Sequence, residues 1–253
     1  PALAMGNTVV VKPPTQDPLG VIRMVELFEE AGLPPGVVNT VSANTVEAAE
    51  AITGSPDVDM ISFTGSTGGG CRIAEGGGRQ MKRLLLELGG KGAAIVFDDA
   101  NLVQAVNDLS ALKFGNCGQV CVSPNRIFVH ENVNDEFVER FVSKAKTLAI
   151  GFGNDAKIDM GPIVDERSRN RVMKLAEKTL AEGAKLECGG KIPTDKPDGY
   201  FFEPTVFTNV NRSMTIFREE IFGPLAAIYK FKTEDEVLDM ANDCEVGLSS
   251  YLY

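Results

Sequence analysis

Short apolar runs alternate with amphipathic stretches along the whole of this chain, and that alternation limits its fold more than any other feature. In the first part, residues 8–12, 37–41, 60–63 and 84–86 read as strands, residues 21–31 and 46–53 read as helices between them, and a third helix starts after Ser66. Strand–helix alternation with connections of this length predicts an α/β fold, a parallel sheet covered by helices on both faces. Asp17 or Thr15 is placed to cap the first helix, and Gly32 with Pro34 to end it.

The pattern then starts afresh. Residues 93–97, 127–129 and 226–230 read as strands, and 102–114, 168–181 and 234–241 as helices. Asn134 is the expected cap of a further helix through about Ala149, with Phe137, Val138, Phe141, Val142 and Ala145 on one face. Residues 193–199 form a polar surface loop, and no internal repeat or low-complexity linker appears. Gly89-Gly90 is the natural hinge, so two units are expected, residues 1–88 and residues 89–253.

A chain of 253 residues with 43% apolar content can bury one large core or two modest ones. Its net charge of −10 argues against a nucleic-acid partner and against anionic membrane surfaces. No apolar run is long enough to span a bilayer, and the first residues do not read as a signal peptide. The cysteines (Cys71, Cys117, Cys121, Cys188, Cys244) are scattered, odd in number and without metal-ligand spacing, so no metal is expected and a reducing cytoplasmic setting is. The chain does not begin with Met, is already strand-like by residue 8 and stops inside an apolar run, which suggests a piece of a longer protein.

Two compact motifs carry the chemistry. Gly118-Gln119-Val120-Cys121-Val122-Ser123 offers a cysteine in a Gly-flanked, loop-like setting, and 34 positions earlier Leu86-Glu87-Leu88-Gly89-Gly90-Lys91 offers a lone carboxylate at an apolar strand end. Together they read as a nucleophile and a general base. His130 is the only histidine, which argues against a Cys–His pair. A lone cysteine among apolar residues is ordinarily inert core, but the glycine and the Ser123-Pro124 pair predict an irregular, approachable backbone at Cys121. A strand-end glutamate is ordinarily solvated, whereas apolar surroundings would raise the Glu87 pKa and fit it to take a proton near neutral pH. Phe63-Thr64-Gly65-Ser66-Thr67-Gly68-Gly69-Gly70 leaves a strand and opens a helix, where glycines and unpaired helix N–H groups can hold a phosphate.

These motifs resemble, in order and spacing, those of the aldehyde dehydrogenase superfamily, and the resemblance runs from residue 1 to residue 253. It implies NAD(P)-dependent oxidation of a small-molecule aldehyde to the acid through a cysteine thiohemiacetal and a thioester. The family's Gly-Gln-x-Cys motif makes Cys121 the nucleophile, with its own backbone N–H as an oxyanion donor, and leaves Cys117 a structural residue. Glu87 corresponds to the residue that activates the hydrolytic water. A related branch that transfers the acyl group to coenzyme A lacks this carboxylate, so hydrolysis to a free acid is implied. The glycine-rich turn, in its Phe-Thr-Gly-Ser-x-x-x-Gly form rather than GxGxxG, assigns Gly65 and Ser66 to the pyrophosphate, with Gly70 and Leu88 also lining the cofactor site.

Lys12 matches a lysine placed against the adenosine ribose. Three residues on, many NAD-dependent members carry a glutamate, and this chain has Thr15; a threonine can donate to a 2′-phosphate that a carboxylate would repel. The Lys12-Pro13-Pro14-Thr15 form resembles NADP-using, non-phosphorylating glyceraldehyde-3-phosphate dehydrogenases, so tolerance of NADP beside NAD is expected. In Glu219-Glu220-Ile221-Phe222-Gly223-Pro224 the resemblance assigns Glu220 to the nicotinamide ribose and Phe222 to the nicotinamide ring. The implied architecture is a truncated Rossmann-type cofactor domain over residues 1–88, then an α/β catalytic domain over residues 89–253 whose C-terminal end is missing, in a homo-oligomer (dimer or tetramer). The family's second oxyanion donor, an asparagine, would lie just upstream of this chain. The rival reading is therefore a non-catalytic fragment or a binding-only relative.

Overall fold

A computed structural model describes all residues 1–253. The chain divides into two compact units, Pro1–Leu88 and Gly89–Tyr253.

The first unit contains β1 (Val9–Val11), α1 (Leu19–Glu30), β2 (Val38–Thr40), α2 (Glu47–Gly54), β3 (Met60–Thr64), α3 (Thr67–Gly78) and β4 (Arg83–Glu87). Its strands form two separate parallel pairs, β1 with β2 and β3 with β4, rather than the single sheet expected. Apolar periodicity marks a strand but not its partner, and here β3 spends its ladder on β4, in register from Met60↔Arg83 to Thr64↔Glu87. Val10, Met60 and Leu85 are exposed, so these strands are not the fully buried type that their apolar composition suggests.

Neither Thr15 nor Asp17 caps α1. The N-cap is Pro18, without a side-chain bond, and the Thr15 hydroxyl donates instead to the Ala43 carbonyl at 3.3 Å. Gly32 does end the helix: at φ +89° it takes the left-handed conformation that lets Leu33 N–H reach back to the Phe28 carbonyl at 3.0 Å.

The second unit holds β5 (Ala93–Val96), α4 (Leu102–Phe114), β6 (Arg126–His130), α5 (Asn134–Thr147), α6 (Glu166–Ala181), β7 (Lys185–Cys188), β8 (Thr205–Thr208), α7 (Thr215–Arg218), β9 (Leu225–Phe231), α8 (Glu234–Asn242) and β10 (Ser250–Leu252). Six strands make one sheet in the order β10-β5-β6-β9-β8-β7, parallel except for β7, which pairs antiparallel with β8 at the edge. An antiparallel edge strand on an otherwise parallel sheet is a common outcome, and the short strands β7, β8 and β10 carry too little apolar pattern to announce themselves. The central strands are buried on both faces, as parallel strands under helices must be: Ala94, Val96, Ile127, Phe128, Val129, Ala226, Ala227 and Tyr229 are all closed to solvent.

Helices cover this sheet through apolar stripes at helical spacing. In α5, Phe137, Phe141 and Ala145 are buried, with Phe137 stacked on Phe141 at 5.5 Å between ring centroids. Each fully buried Phe side chain contributes about 1.5–3 kcal/mol. Asn134 does not cap this helix; it is the first helical residue, itself buried, and Val133 holds the N-cap position without a side-chain bond. The caps of α4, α6 and α8 do come from side chains: Asn101 accepts from Gln104 N–H, Asp165 from Ser168 N–H and Thr233 from Glu236 N–H. The Asp165 cap starts α6 at Glu166, two residues before the expected Ser168.

Candidate active site

In the second unit, the segment leading to Cys121 leaves α4 through a short 3-10 turn over Gly115–Gly118 in which Asn116 (φ +49°), Cys117 (φ +57°) and Gly118 (φ +68°) are all left-handed. That conformation is costly for the two non-glycine residues and is held by surrounding bonds. The Asn116 amide donates to the Gln119 carbonyl at 3.1 Å, and the Gln119 amide donates to the Asn116 carbonyl and accepts from Val164 N–H at 2.9 Å. Gly118 backs directly onto the carbonyl of Gly223, where any Cβ would collide.

Cys121 then occupies a turn closed by Ser123 N–H donating to the Val120 carbonyl at 3.0 Å. Tyr251 and Ser249 pin this turn through the Val122 carbonyl, at 2.7 and 3.2 Å. Cys121 is part-exposed, and its backbone N–H donates to no atom of the chain. Cys117 is fully buried, and that burial pushes its thiol up to about 12 against the pull of Lys113. A thiol held protonated in that way is a poor nucleophile at neutral pH.

The second motif of this unit, Glu219 to Pro224, is irregular backbone whose carbonyls are nearly all claimed. Buried Lys91 donates to the carbonyls of Ile216 (2.8 Å) and Glu219. Arg171 on α6 donates to the carbonyls of Glu220 (3.2 Å), Ile221 (2.6 Å) and Phe222 (3.1 Å). The Glu220 carboxylate accepts from Gly90 N–H at 3.1 Å and packs so close to Gly89 that a Cβ there would collide. Phe222 is strained at φ +41° and exposed. Asn125 Oδ1 accepts from Ile221 N–H at 2.7 Å. The Cys121 turn and the Glu220–Phe222 segment are thus brought together within this unit.

Lys91 and Lys113 are buried cations, and burial pushes both below the ordinary lysine pKa, Lys113 to about 7. No sequence motif marks a role for Lys91, Lys113, Asn125 or Arg171. A signal for Lys113 exists: Ala105, Leu109 and Lys113 are spaced four apart, so the lysine falls on the buried stripe of α4.

In the first unit, Gly65, Ser66, Gly70, Glu87 and Leu88 lie together around the ends of β3 and β4. Ser66 caps α3 by accepting from Gly69 N–H at 3.2 Å, and its hydroxyl hydrogen and the first-turn N–H groups of Thr67 and Gly68 donate to no atom of the chain. Gly65 N–H is not available to a phosphate, because it donates to the Glu87 carbonyl at 3.0 Å. Gly70 admits the Leu88 side chain, whose Cδ2 would lie 2.5 Å from a Cβ at that position. Glu87 is exposed, so the apolar surroundings expected for it are not found: in the pleat of β4 its side chain follows Leu85 on the open face. Lys12 and Thr15 belong to the exit of β1 on the other strand pair, where Lys12 Nζ donates to the Pro13 carbonyl at 3.1 Å.

No three or more His, Cys, Asp or Glu side chains gather where a metal ion could be held, and no helix is long and apolar enough to cross a membrane.

The aldehyde dehydrogenase family model matches residues 1–253. Mouse retinal dehydrogenase 2 is 47% identical over the whole of this chain, which spans 49% of that relative. Among solved structures, an NADP-dependent enzyme of E. coli superposes with a TM-score of 0.97 at 40% identity, covering all of this chain and 52% of the other. A betaine aldehyde dehydrogenase of Staphylococcus aureus in complex with NAD+ gives a TM-score of 0.95 at 38% identity, covering all of this chain and 50% of the other. The chain therefore spans about half the length of the relatives it matches.

Proposed function

The chain belongs to the aldehyde dehydrogenase family, and on that premise we propose that the protein oxidises an aldehyde to a carboxylic acid with NAD or NADP. The observation that carries this reading is the Cys121 turn, which holds a part-exposed cysteine whose own N–H is uncommitted.

The Cys121 thiolate adds to the aldehyde carbon, and the Cys121 N–H stabilises the oxyanion that forms there. NAD or NADP, when bound, supplies the acceptor for the hydride that leaves this tetrahedral carbon. The acyl group stays on Cys121 as a thioester. Glu87 takes a proton from water, the water oxygen attacks the thioester carbon, and the sulfur departs as thiolate to leave the free acid.

The residues fit such a cofactor. The Ser66 hydroxyl and the N–H groups at the start of α3 suit a pyrophosphate, with Gly65 forming the turn that leads into them and Gly70 making room for Leu88 as an apolar wall. Lys12 and Thr15 serve the adenosine ribose, Glu220 the nicotinamide ribose and Phe222 the nicotinamide ring. Residues 1–88 then form the dinucleotide-binding part and residues 89–253 the catalytic part. The reading extends to a cytoplasmic homo-oligomer, and five unpaired cysteines support a reducing compartment.

A panel of aldehydes assayed for NADH and NADPH formation tests the reaction. Cys121→Ala should abolish oxidation while cofactor binding persists, and Cys117→Ala should be mild. If the Cys117 variant folds and is as damaged as the Cys121 variant, the nucleophile has been misassigned.

A further inference from the structure

Asn125 is the one side chain hydrogen-bonded to both the Cys121 turn and the Glu220–Phe222 segment. It is 1% exposed. Its Nδ2 donates to the Ser123 carbonyl at 2.9 Å, and its Oδ1 accepts from Ile221 N–H at 2.7 Å. Its own N–H donates to the Gly92 carbonyl at 2.9 Å, which ties it to the entry of β5. The orientation of the amide is forced, because Ile221 N–H can only donate and the Ser123 carbonyl can only accept; a flipped amide would face like against like at both ends. The other anchors serve one side each. Tyr251, Ser249 and Lys113 bond to the Cys121 turn, and Lys91 and Arg171 bond to the Glu220 side.

We propose that Asn125 is a positioning residue that sets the Cys121 turn in register with the Glu220–Phe222 segment, so that the nucleophile keeps a fixed place relative to the cofactor-facing loop. This rests on the reading of Cys121 as nucleophile and of Glu220 and Phe222 as cofactor contacts. The link is a single neutral amide 96 residues from its partner in sequence. It therefore transmits a displacement of either loop to the other without placing a charge beside the thiol.

Two substitutions separate the ends of the link. Asn125→Asp keeps an acceptor for Ile221 N–H but sets a carboxylate oxygen against the Ser123 carbonyl, and Asn125→Leu removes both bonds at similar volume. The readouts are NADH and NADPH affinity by fluorescence titration, the rate of Cys121 alkylation by iodoacetamide with and without cofactor, kcat, and the thermal midpoint. Asn125→Asp should keep cofactor affinity within about twofold while changing kcat and the plateau alkylation rate by roughly tenfold, the scale set by one buried hydrogen bond. The plateau is read at high pH, where the thiol is fully ionised and the new charge no longer acts through its ionisation. Asn125→Leu should also weaken cofactor affinity, by roughly fivefold to tenfold. If Asn125→Asp lowers only the thermal midpoint, Asn125 is structural and the proposal is wrong; this variant decides even if Asn125→Leu does not fold. Cys121→Ala and Glu220→Gln are measured in parallel. Full turnover in the first, or full cofactor affinity in the second, sinks the underlying reading and the proposal with it. Losses in both, with a parent-like Asn125→Asp, sink the proposal alone.

Discussion

The ammonium of Lys113 lies 3.4 Å from the hydroxyl of Ser123, both fully buried, two residues from Cys121 along the chain. Burial holds this lysine at about 7 rather than its ordinary 10.5, with Cys117 and Glu220 favouring its charge. Lys91 is pushed down in the same way, with Lys113 and Arg126 adding repulsion.

Stability should therefore depend on pH with a definite sign. Between pH 7 and about 9 the unfolded chain keeps the Lys113 proton while the folded protein has shed it, so stability rises with pH across this window. The gain is absent below pH 7, where both states are charged and the folded one carries the cost of burial. A single group gives a slope of at most about 1.4 kcal/mol per pH unit. Above pH 9 the Cys117 thiol works in the opposite direction, since it ionises in the unfolded chain near 9.0 but near 12 when folded. Lys113→Met should flatten the rise and stabilise the protein more at pH 6 than at pH 9. Urea unfolding at pH 6, 7.5 and 9 measures this, and equal slopes in parent and variant would show that Lys113 does not titrate there.

Glu87→Gln should slow turnover by about 10²–10⁴-fold while a first burst of reduced cofactor survives, because only the water-activating step is lost. Rapid-mixing kinetics separates the two phases. Unchanged steady-state turnover rules Glu87 out as the base. The exposure of Glu87 makes this an informative test, since its surroundings in β4 do not by themselves mark it as a base.

Thr15→Glu should weaken NADP binding much more than NAD binding. Like charges a few ångströms apart at a partly screened site cost roughly 1–4 kcal/mol. The Thr15 hydroxyl already donates to the Ala43 carbonyl, so in the parent it favours a 2′-phosphate less than a free hydroxyl would. The measurement is the ratio of kcat/KM with the two cofactors, and an unmoved ratio places Thr15 away from the 2′ position.

Much of the candidate site was legible because it is local. Ser66 caps α3 from the position its motif predicts, and the residues before Cys121 adopt the irregular path that the glycine there announced. Asp17, Thr15 and Asn134 show the limit of the same logic. A capping side chain identifies a helix start only if the backbone delivers it to the N-cap, and here Pro18 and Val133 arrive there first.

The sequence by itself determined the α/β class and the order of most elements through the alternation of apolar runs, and it displayed the motifs around Cys121 and Glu87 directly, since each is written within a few consecutive residues. Tertiary structure alone decided the rest. The partner of β3, the antiparallel edge at β7, the carbonyls that buried Lys91 reaches and the Asn125 bond to Ile221 all join residues that lie apart in the chain. Periodicity records which side of an element is apolar. Which distant backbone group then faces a buried amide or ammonium is settled only when the core closes and each desolvated polar group must find a partner.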